Sequence, residues 1–142
     1  MSELLAKRLV DLLERFSAEI DEELLSDLEA LYDPEVVFSD PIQTIHGREA
    51  FTAMNRKLVS RARSCRFQVT AWATRGEQIF LAWTLDYVPR RGPALSFDGT
   101  SLLDLRDGLV ISHRDYWDLA GSMLDAVPGV GSIYRRLVAH LG

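Results

Sequence analysis

An imidazole and a carboxylate stand two residues apart near the end of the chain, in the run from residue 110 to 117. Side chains of a β-strand alternate between its two faces, so His113 and Asp115 would share a face with Trp117. A histidine beside a carboxylate can orient it or carry a proton near neutral pH. Because burial of an unpaired carboxylate is unfavourable, the pattern predicts either an acid/base centre or a structural pairing of these two side chains.

A second carboxylate with a candidate chemical role is Asp40, which directly precedes Pro41. An Asp before a proline often begins a turn by accepting hydrogen bonds from its own backbone, so Asp40 is either a turn residue or a catalytic base. Two carboxylates that face one cavity disfavour each other's ionisation, which leaves one of them protonated and able to act as an acid. This hypothesis requires Asp40 and Asp115 to line the same cavity.

Large apolar side chains from several parts of the chain would have to surround such a centre. An apolar cavity with few polar groups suits a small hydrophobic, cyclic molecule. Aromatic residues at these spacings are also ordinary core residues, so each candidate has both interpretations. The candidates for contacting the ligand are Phe16, Phe38, Phe51, Leu81, Trp83, Tyr87 and Trp117.

Charge and composition argue against several classes of partner. The net charge of −5 over 142 residues disfavours binding to nucleic acid, and the basic residues between Arg56 and Arg66 are interpreted as a solvated face. Histidine, cysteine and carboxylate residues lack the spacing of a metal site, so neither a metal nor a cofactor is expected. The single Cys65 cannot form an internal disulfide. No membrane span is expected, and the first residues do not resemble a signal peptide, which predicts a cytoplasmic protein.

The first half of the chain has the apolar spacing of helices. The spacing predicts a helix from about residue 3 to 19 and a second helix that begins after Asp21, its N-cap, and is stopped by Asp33-Pro34. A short strand at residues 36–38 follows, and a third helix is expected after Gly47. These helices precede all of the long strands.

From residue 66 onward the apolar period changes to two, which predicts long strands joined by turns near Gly76 and at Asp107-Gly108. Helices followed by an antiparallel meander indicate an α+β fold, with a curved, cone-shaped antiparallel sheet whose concave face is covered by the N-terminal helices. Residues 1–142 are expected to form one domain. Its C-terminal helical extension, at about 119–142, is expected to be a lid, a subunit contact or ordinary packing.

Together with this order of elements, residues 31–41, 46–50 and 114–118 resemble the nuclear transport factor 2-like superfamily, and more narrowly its SnoaL-like branch. Relatives include polyketide cyclases, ketosteroid isomerases and limonene epoxide hydrolases. The resemblance implies a homodimer and a cofactor-independent isomerase, cyclase or hydrolase. A non-catalytic ligand carrier or a dimerisation module of the same fold is the alternative, because a fold does not fix a function.

The isomerase resemblance implies that Asp40 is the base that moves the substrate proton. Those enzymes also use a tyrosine in the first helix and a protonated aspartate on the third long strand. Here Phe16 takes the place of the tyrosine, and no acid lies between Thr100 and Leu102. Loss of one such donor lowers the rate by about 10²–10³, so ketosteroid isomerisation by that mechanism is disfavoured.

The epoxide hydrolase resemblance matches Asp115, but the arginine that those enzymes need on a middle strand is absent from residues 83–86. The polyketide cyclase resemblance requires an acid near the end of the last strand with a supporting histidine. Asp115 or Asp118, together with His113, meets that requirement. The expected catalytic residues are therefore Asp40, Asp115 and His113, with the choice between Asp115 and Asp118 open.

Overall fold

The computed structural model describes residues 2–141, with the side chain of Asp125 left out. In chain order, the elements are α1 (Ser2–Glu14), α2 (Glu22–Glu29), β1 (Tyr32–Ser39), β2 (Thr44–His46), α3 (Arg48–Ser60), β3 (Ala62–Arg75), β4 (Gln78–Pro89), β5 (Leu95–Arg106), β6 (Leu109–Trp117), α4 (Leu119–Asp125) and α5 (Val130–Ala139). The prediction of helices before long strands, with two further helices at the end, is confirmed.

The six strands form one curved, unclosed sheet in the order β2-β1-β6-β5-β4-β3. Strands β3 to β6 are the predicted antiparallel meander, whereas β1 runs parallel to β6 and carries β2 at the edge. The turn between β5 and β6 has positive φ at both Asp107 and Gly108, as a two-residue hairpin with this twist requires. The α+β fold with a curved sheet is therefore confirmed.

The first helix is shorter than its apolar spacing predicts, and ends at Glu14 instead of near residue 19. Capping of the next helix explains the difference. Asp21 adopts an extended conformation and accepts a hydrogen bond from the backbone N–H of Leu24 at 3.0 Å, which an uninterrupted helix would not allow. Phe16 consequently lies in the connection after α1.

The second helix also ends before the residues that were expected to stop it. It closes at Glu29, and Asp33-Pro34 belong to β1. Tyr32 pairs with Val110 of β6, and the N–H of Val110 donates to the carbonyl of Leu31 at 2.9 Å. Long-range pairing thus draws this segment into the sheet, which the local sequence pattern does not show.

The core lies between the concave face of the sheet and the helices. α1 packs on β3, and α3 packs on β1 and β2. Together they cover the hollow of the curved sheet and leave a cavity beneath them. The largest fully buried side chains are Leu9, Tyr32, Val36, Ile79, Leu81, Leu103 and Val110.

The C-terminal helices pack mainly on each other, and α4 also contacts β5. Asp118 is the N-cap of α4 and accepts a hydrogen bond from the N–H of Gly121 at 2.9 Å. Within residues 2–141, no helix is both long and apolar enough to cross a membrane. Exposed apolar side chains on the C-terminal segment are Leu119, Met123, Val127, Ile133, Leu137, Val138 and Leu141.

Candidate functional site

Strand β6 separates its side chains as the alternation predicts. His113 is 6% exposed and the side chain of Asp115 is 19% exposed, whereas Tyr116 on the outer face is 47% exposed. Trp117 continues the inner face and packs edge-on against Phe97. An imidazole and a carboxylate are therefore set side by side into the hollow of the sheet.

A chain of hydrogen bonds runs through this centre. The indole N–H of Trp83 donates to Oγ of Ser101 at 2.8 Å, and the Ser101 hydroxyl donates to Oδ1 of Asp115 at 2.5 Å. Nε2 of His113 lies 2.8 Å from the same Oδ1, and Nδ1 of His113 lies 2.8 Å from the hydroxyl of Tyr32. Four strands, β1, β4, β5 and β6, thus contribute to one buried polar network.

The protonated phenol of Tyr32 and the carboxylate of Asp115 indicate the direction of each hydrogen bond. Burial raises the pKa of the Tyr32 phenol well above its ordinary value, with the charge of Asp115 adding to the effect, so Tyr32 keeps its proton. Donation from Tyr32 to Nδ1 of His113 assigns the other ring proton to Nε2, facing Asp115; this tautomer is assigned from the hydrogen-bond network. Oδ1 of Asp115 then accepts from His113 and from Ser101.

The other carboxylate oxygen of Asp115 is the atom available for chemistry. Oδ2 makes no hydrogen bond to any residue that the structure describes, and no buried polar side-chain atom in residues 2–141 is left without a partner. Asp115 lines a cavity of about 350 Å³ under α3, at the size expected for a small-molecule site. Asp115 thus lines the cavity with one oxygen held by hydrogen bonds and the other without a partner among the described residues.

The cavity brings together most of the side chains that the sequence suggested. Phe16, Phe38, Phe51, Trp83, Tyr87 and Trp117 all line it. Leu81 does not: it is 2% exposed and lies in the core between the sheet and the helices. It occupies the same inner face of β4 as Trp83, but two residues earlier in the strand, where it packs in the core.

Asp40 lines the same cavity and also has the turn geometry that Asp-Pro predicts. Its Oδ1 accepts the backbone N–H groups of Ile42 and Gln43 at 2.8 and 3.0 Å. Its Oδ2 accepts only the side-chain amide of Gln43, at 3.4 Å. No hydrogen bond joins Asp40 to Asp115, so the two carboxylates share a cavity without forming a pair.

The choice between Asp115 and Asp118 is decided by the position of each side chain. Asp115 lies in the wall of the cavity, whereas Asp118 is exposed and its carboxylate caps α4. Asp118 follows the last residue of β6, so strand alternation does not decide the direction of its side chain. The surface position of Asp118 separates it from the His113 centre.

Two members of the network, Tyr32 and Ser101, are not among the sequence candidates. Ser101 pairs directly with Asp115 across β5 and β6. The sequence could have indicated Ser101, because a hydroxyl at an inward position is unusual on a strand that otherwise buries leucines. Tyr32 is 81 positions from His113, and only the pairing of β1 with β6 brings them together.

Trp83 is the last member of the network, and its indole fits there because the residue opposite it on β5 is a glycine. A Cβ on Gly99 would lie 2.4 Å from Cζ2 of Trp83, closer than any real contact. The indole therefore rests on bare backbone, in position to donate to Ser101. Its ring also packs on Phe67, with 5.2 Å between ring centroids.

The titratable side chains of the site do not form a metal-binding group. Among residues 2–141, no cluster of three or more histidine, cysteine, aspartate or glutamate side chains has an arrangement that could hold a metal ion. Cys65 also lines the cavity, and burial raises the pKa of its thiol. The thiol is therefore protonated at neutral pH and serves as an apolar part of the wall.

Comparison with known proteins identifies the fold to which this cavity belongs. Residues 13–113 match the sequence model of the SnoaL-like domain. No sequence among the curated proteins matches the chain. The matched region contains His113 at its last position and covers α2, α3, the strands from β1 to β5 and the first part of β6.

Solved structures match the chain at low sequence identity. An NTF2-like protein of unknown function from Burkholderia pseudomallei K96243 has a TM-score of 0.72 and 16% identity, over 90% of this chain and 98% of that one. An LEH-like epoxide hydrolase from M. tuberculosis has a TM-score of 0.71 and 13% identity, over 95% and 96%. A proposed SnoaL-like polyketide cyclase from Jannaschia sp. CCS1 has a TM-score of 0.71 and 21% identity, over 88% and 90%. Identities this low show a shared fold and transfer no activity.

Proposed function

Because the chain belongs to the SnoaL-like domain family, we propose that its cavity binds a small, mostly apolar molecule and that Asp115 moves a proton on that molecule. The observation that supports this proposal is the buried hydrogen-bond network that ends at Asp115 while leaving Oδ2 open to the cavity. A carboxylate that served only to hold the fold together would be expected to use both of its oxygens.

We propose a role for each polar group of the network. Oδ2 of Asp115 is the proton acceptor, and His113 and Ser101 position the carboxylate through Oδ1. Tyr32 fixes the tautomer of His113 from the opposite side of the ring. This arrangement suits abstraction and return of a proton at carbon, the step that isomerisation and cyclisation of apolar ring compounds share.

Asp40 is proposed as the second acid/base group. Its Oδ1 is fixed by the turn, and its Oδ2 makes only a long contact with a side-chain amide, so a ligand could replace that contact. The isomerase resemblance puts the acid of the third long strand between Thr100 and Leu102, where this chain has Ser101. Ser101 pairs with Asp115 on the next strand, so Asp115 is the carboxylate that lies beside this position.

A general proton-transfer probe tests this function without knowledge of the natural substrate. 5-Nitrobenzisoxazole is a flat apolar molecule whose ring opens when a base removes its carbon-bound proton, and the product absorbs visible light. We expect the protein to accelerate this reaction, and Asp115→Asn to lower kcat/KM by at least about 100-fold, because the amide cannot accept the proton.

The matched control is Asp118→Asn, which makes the same change three residues away on an exposed helix cap. It should leave the rate unchanged. Urea denaturation and circular dichroism establish that both variants are folded. Equal rates for wild-type protein and Asp115→Asn would contradict the role of Asp115. Binding of the probe without any acceleration by wild-type protein would support the carrier function instead.

We also propose that the protein is a homodimer, as members of the superfamily commonly are. Apolar side chains on the outer face of the sheet support this: Phe80 is 41% exposed and Tyr116 is 47% exposed. They lie with Leu102 around one depression of that face. A second subunit would remove these side chains from water.

A further inference from the structure

A basic groove, lined by Lys57, Arg61, Arg90 and Arg91, lies directly beside the apolar cavity. The groove has a volume of about 640 Å³. It shares Gln43, Met54, Leu58 and Tyr87 with the cavity, so the two spaces meet along one common wall. The anionic group of a ligand whose body fills the cavity would therefore reach the groove by passing this shared wall.

The fold itself brings these cations together. Lys57 and Arg61 are one helical turn apart at the end of α3, and Arg90 follows the last residue of β4. The backbone N–H of Arg90 donates to the carbonyl of Arg61 at 2.8 Å, which fixes the two residues next to each other. Arg91 extends the same positive surface.

Among the described residues, no acidic side chain balances the positive charge of the groove. Its lining includes no aspartate or glutamate, and none of its four cations forms an ion pair with a residue that the structure describes. The neighbouring cation Arg56, by contrast, pairs with Glu22. In a chain of net charge −5, a cluster of cations without counterions is an electrostatic cost that a bound anion would relieve.

The boundary between the two spaces is formed by Tyr87. Its hydroxyl donates to the carbonyl of Leu58 at 2.7 Å, which holds the ring in place as a wall. Burial raises the pKa of the Tyr87 phenol, with Cys65 adding to this and the charge of Arg61 opposing it. Tyr87 therefore lies between Cys65, which lines the apolar cavity, and Arg61, which lines the basic groove.

We propose that the ligand of this protein is an amphiphilic anion, with an apolar body in the cavity and a carboxylate, sulfonate or phosphate bound by the basic groove. This inference rests on the proposed function, because it concerns the same cavity. Arginine side chains suit such groups since the guanidinium offers several donors in a planar arrangement. The positive charges of the groove thus specify a chemical class of ligand that the apolar cavity alone does not.

Pairs of probes that differ only in charge test the proposal. The probes are ω-phenylalkanoates of increasing chain length and the ω-phenylalkanols of the same lengths, with binding measured by calorimetry at low ionic strength. For the chain length that reaches the groove, we expect the carboxylate to bind roughly tenfold or more tightly than the alcohol. Added salt should reduce this preference, because the groove is open to solvent.

A pair of double variants locates the charge preference. Arg61→Gln with Arg90→Gln removes two cations from the groove, and Arg63→Gln with Arg66→Gln removes two exposed cations from β3 outside it. The first variant should lose the preference for the carboxylate and keep its affinity for the alcohol. The second should behave as wild type. Thermal unfolding establishes that both variants remain folded.

The possible outcomes separate this inference from the proposed function. Equal affinity for carboxylate and alcohol at every length would overturn the inference and leave the apolar cavity as a binding site. Loss of the preference in both double variants would also overturn it, because the preference would then come from the overall charge of the protein and not from the groove. Inorganic phosphate that binds as tightly as the best carboxylate would show an anion site unconnected with the cavity. Failure of all alcohols and carboxylates to bind would contradict the proposed function itself.

Discussion

Asp115 is a carboxylate with two different oxygens. Oδ1 is fixed by Ser101 and His113, and Oδ2 has no hydrogen-bond partner among the described residues, on a side chain that lines the cavity. A group held on one side loses little freedom when it reacts on the other, which is the arrangement that proton transfer requires. His113 is in turn held by Tyr32, so the orientation of the carboxylate depends on a side chain that never contacts the ligand cavity.

The hydroxyl of Tyr32 should make stability depend on alkaline pH. An unfolded tyrosine ionises near its ordinary pKa of 10.0, whereas burial keeps Tyr32 protonated in the folded state well above that pH. Above about pH 10 the unfolded state therefore binds fewer protons than the folded state, and stability falls as pH rises by about 1.4 kcal/mol per pH unit for this group. Below the ordinary pKa the contribution of Tyr32 is fully present and constant.

Tyr32→Phe should therefore make the alkaline decline in the free energy of unfolding shallower by about that slope, as urea denaturation at a series of pH values would measure. Near neutral pH the variant should be less stable by about 1–2 kcal/mol, because Nδ1 of His113 loses its donor. Val36→Ala, a buried change on the same strand that removes no titratable group, is the control and should lower stability without changing the slope. A Tyr32→Phe variant with the wild-type slope would contradict the raised pKa of Tyr32 in the folded state.

At the scale of elements, the cavity wall depends on how β4 and β5 fit together. Gly99 of β5 pairs with Trp83 of β4, and the indole occupies the space that a side chain at residue 99 would need. The same indole donates to Ser101 on β5. The two strands are thus matched by a small residue opposite a large one, and this match sets the position of the polar network.

Gly99→Ala should force Trp83 out of its place and lower the free energy of unfolding by about 1–3 kcal/mol. Near-ultraviolet circular dichroism would report the displaced indole, and urea denaturation the loss of stability. Asp98→Ala, an exposed change at the adjacent position, is the control and should stay within about 0.5 kcal/mol of wild type. An unchanged Trp83 signal in Gly99→Ala would show that the strands adjust without moving the ring.

At the scale of the whole molecule, the fold presents two kinds of surface. The concave side contains the cavity and the basic groove, and the outer side of the sheet exposes Phe80 and Tyr116. The α4 and α5 pair adds a further exposed apolar face beyond the sheet, including Leu137 at 65% exposure. Of these exposed apolar faces, we expect the outer face of the sheet to form the dimer contact.

Phe80→Glu should convert the dimer into a monomer, because it places a charge in the centre of the proposed contact. Light scattering during gel filtration would measure the mass. Leu137→Glu, which introduces the same charge on α5, is the control and should leave the dimer intact. A monomeric wild-type protein would contradict the dimer, and dissociation by Leu137→Glu alone would move the contact to the C-terminal helices.

Local patterns in the sequence predict the fold well and the site in part. The period of two in β6 places His113 and Asp115 on one face, and the turn residues Asp107 and Gly108 mark the hairpin that leads to them. The end of α1 was misplaced, because apolar spacing continues beyond Glu14 while the cap at Asp21 requires an extended backbone. Leu81 lies in the core and not in the cavity wall. Strand alternation predicts the face on which Leu81 lies, but it does not predict how deep the cavity extends along that face.

The sequence by itself determined which residues share a strand face, because alternation depends only on neighbouring backbone geometry. It also determined the order of helices and strands, and with it the curved sheet. Only the tertiary structure decided that Tyr32 meets His113, that Ser101 meets Asp115, and that the end of α3 meets the end of β4 in a basic groove. These meetings depend on strand register and helix ends, which long-range packing fixes after the local pattern has been satisfied.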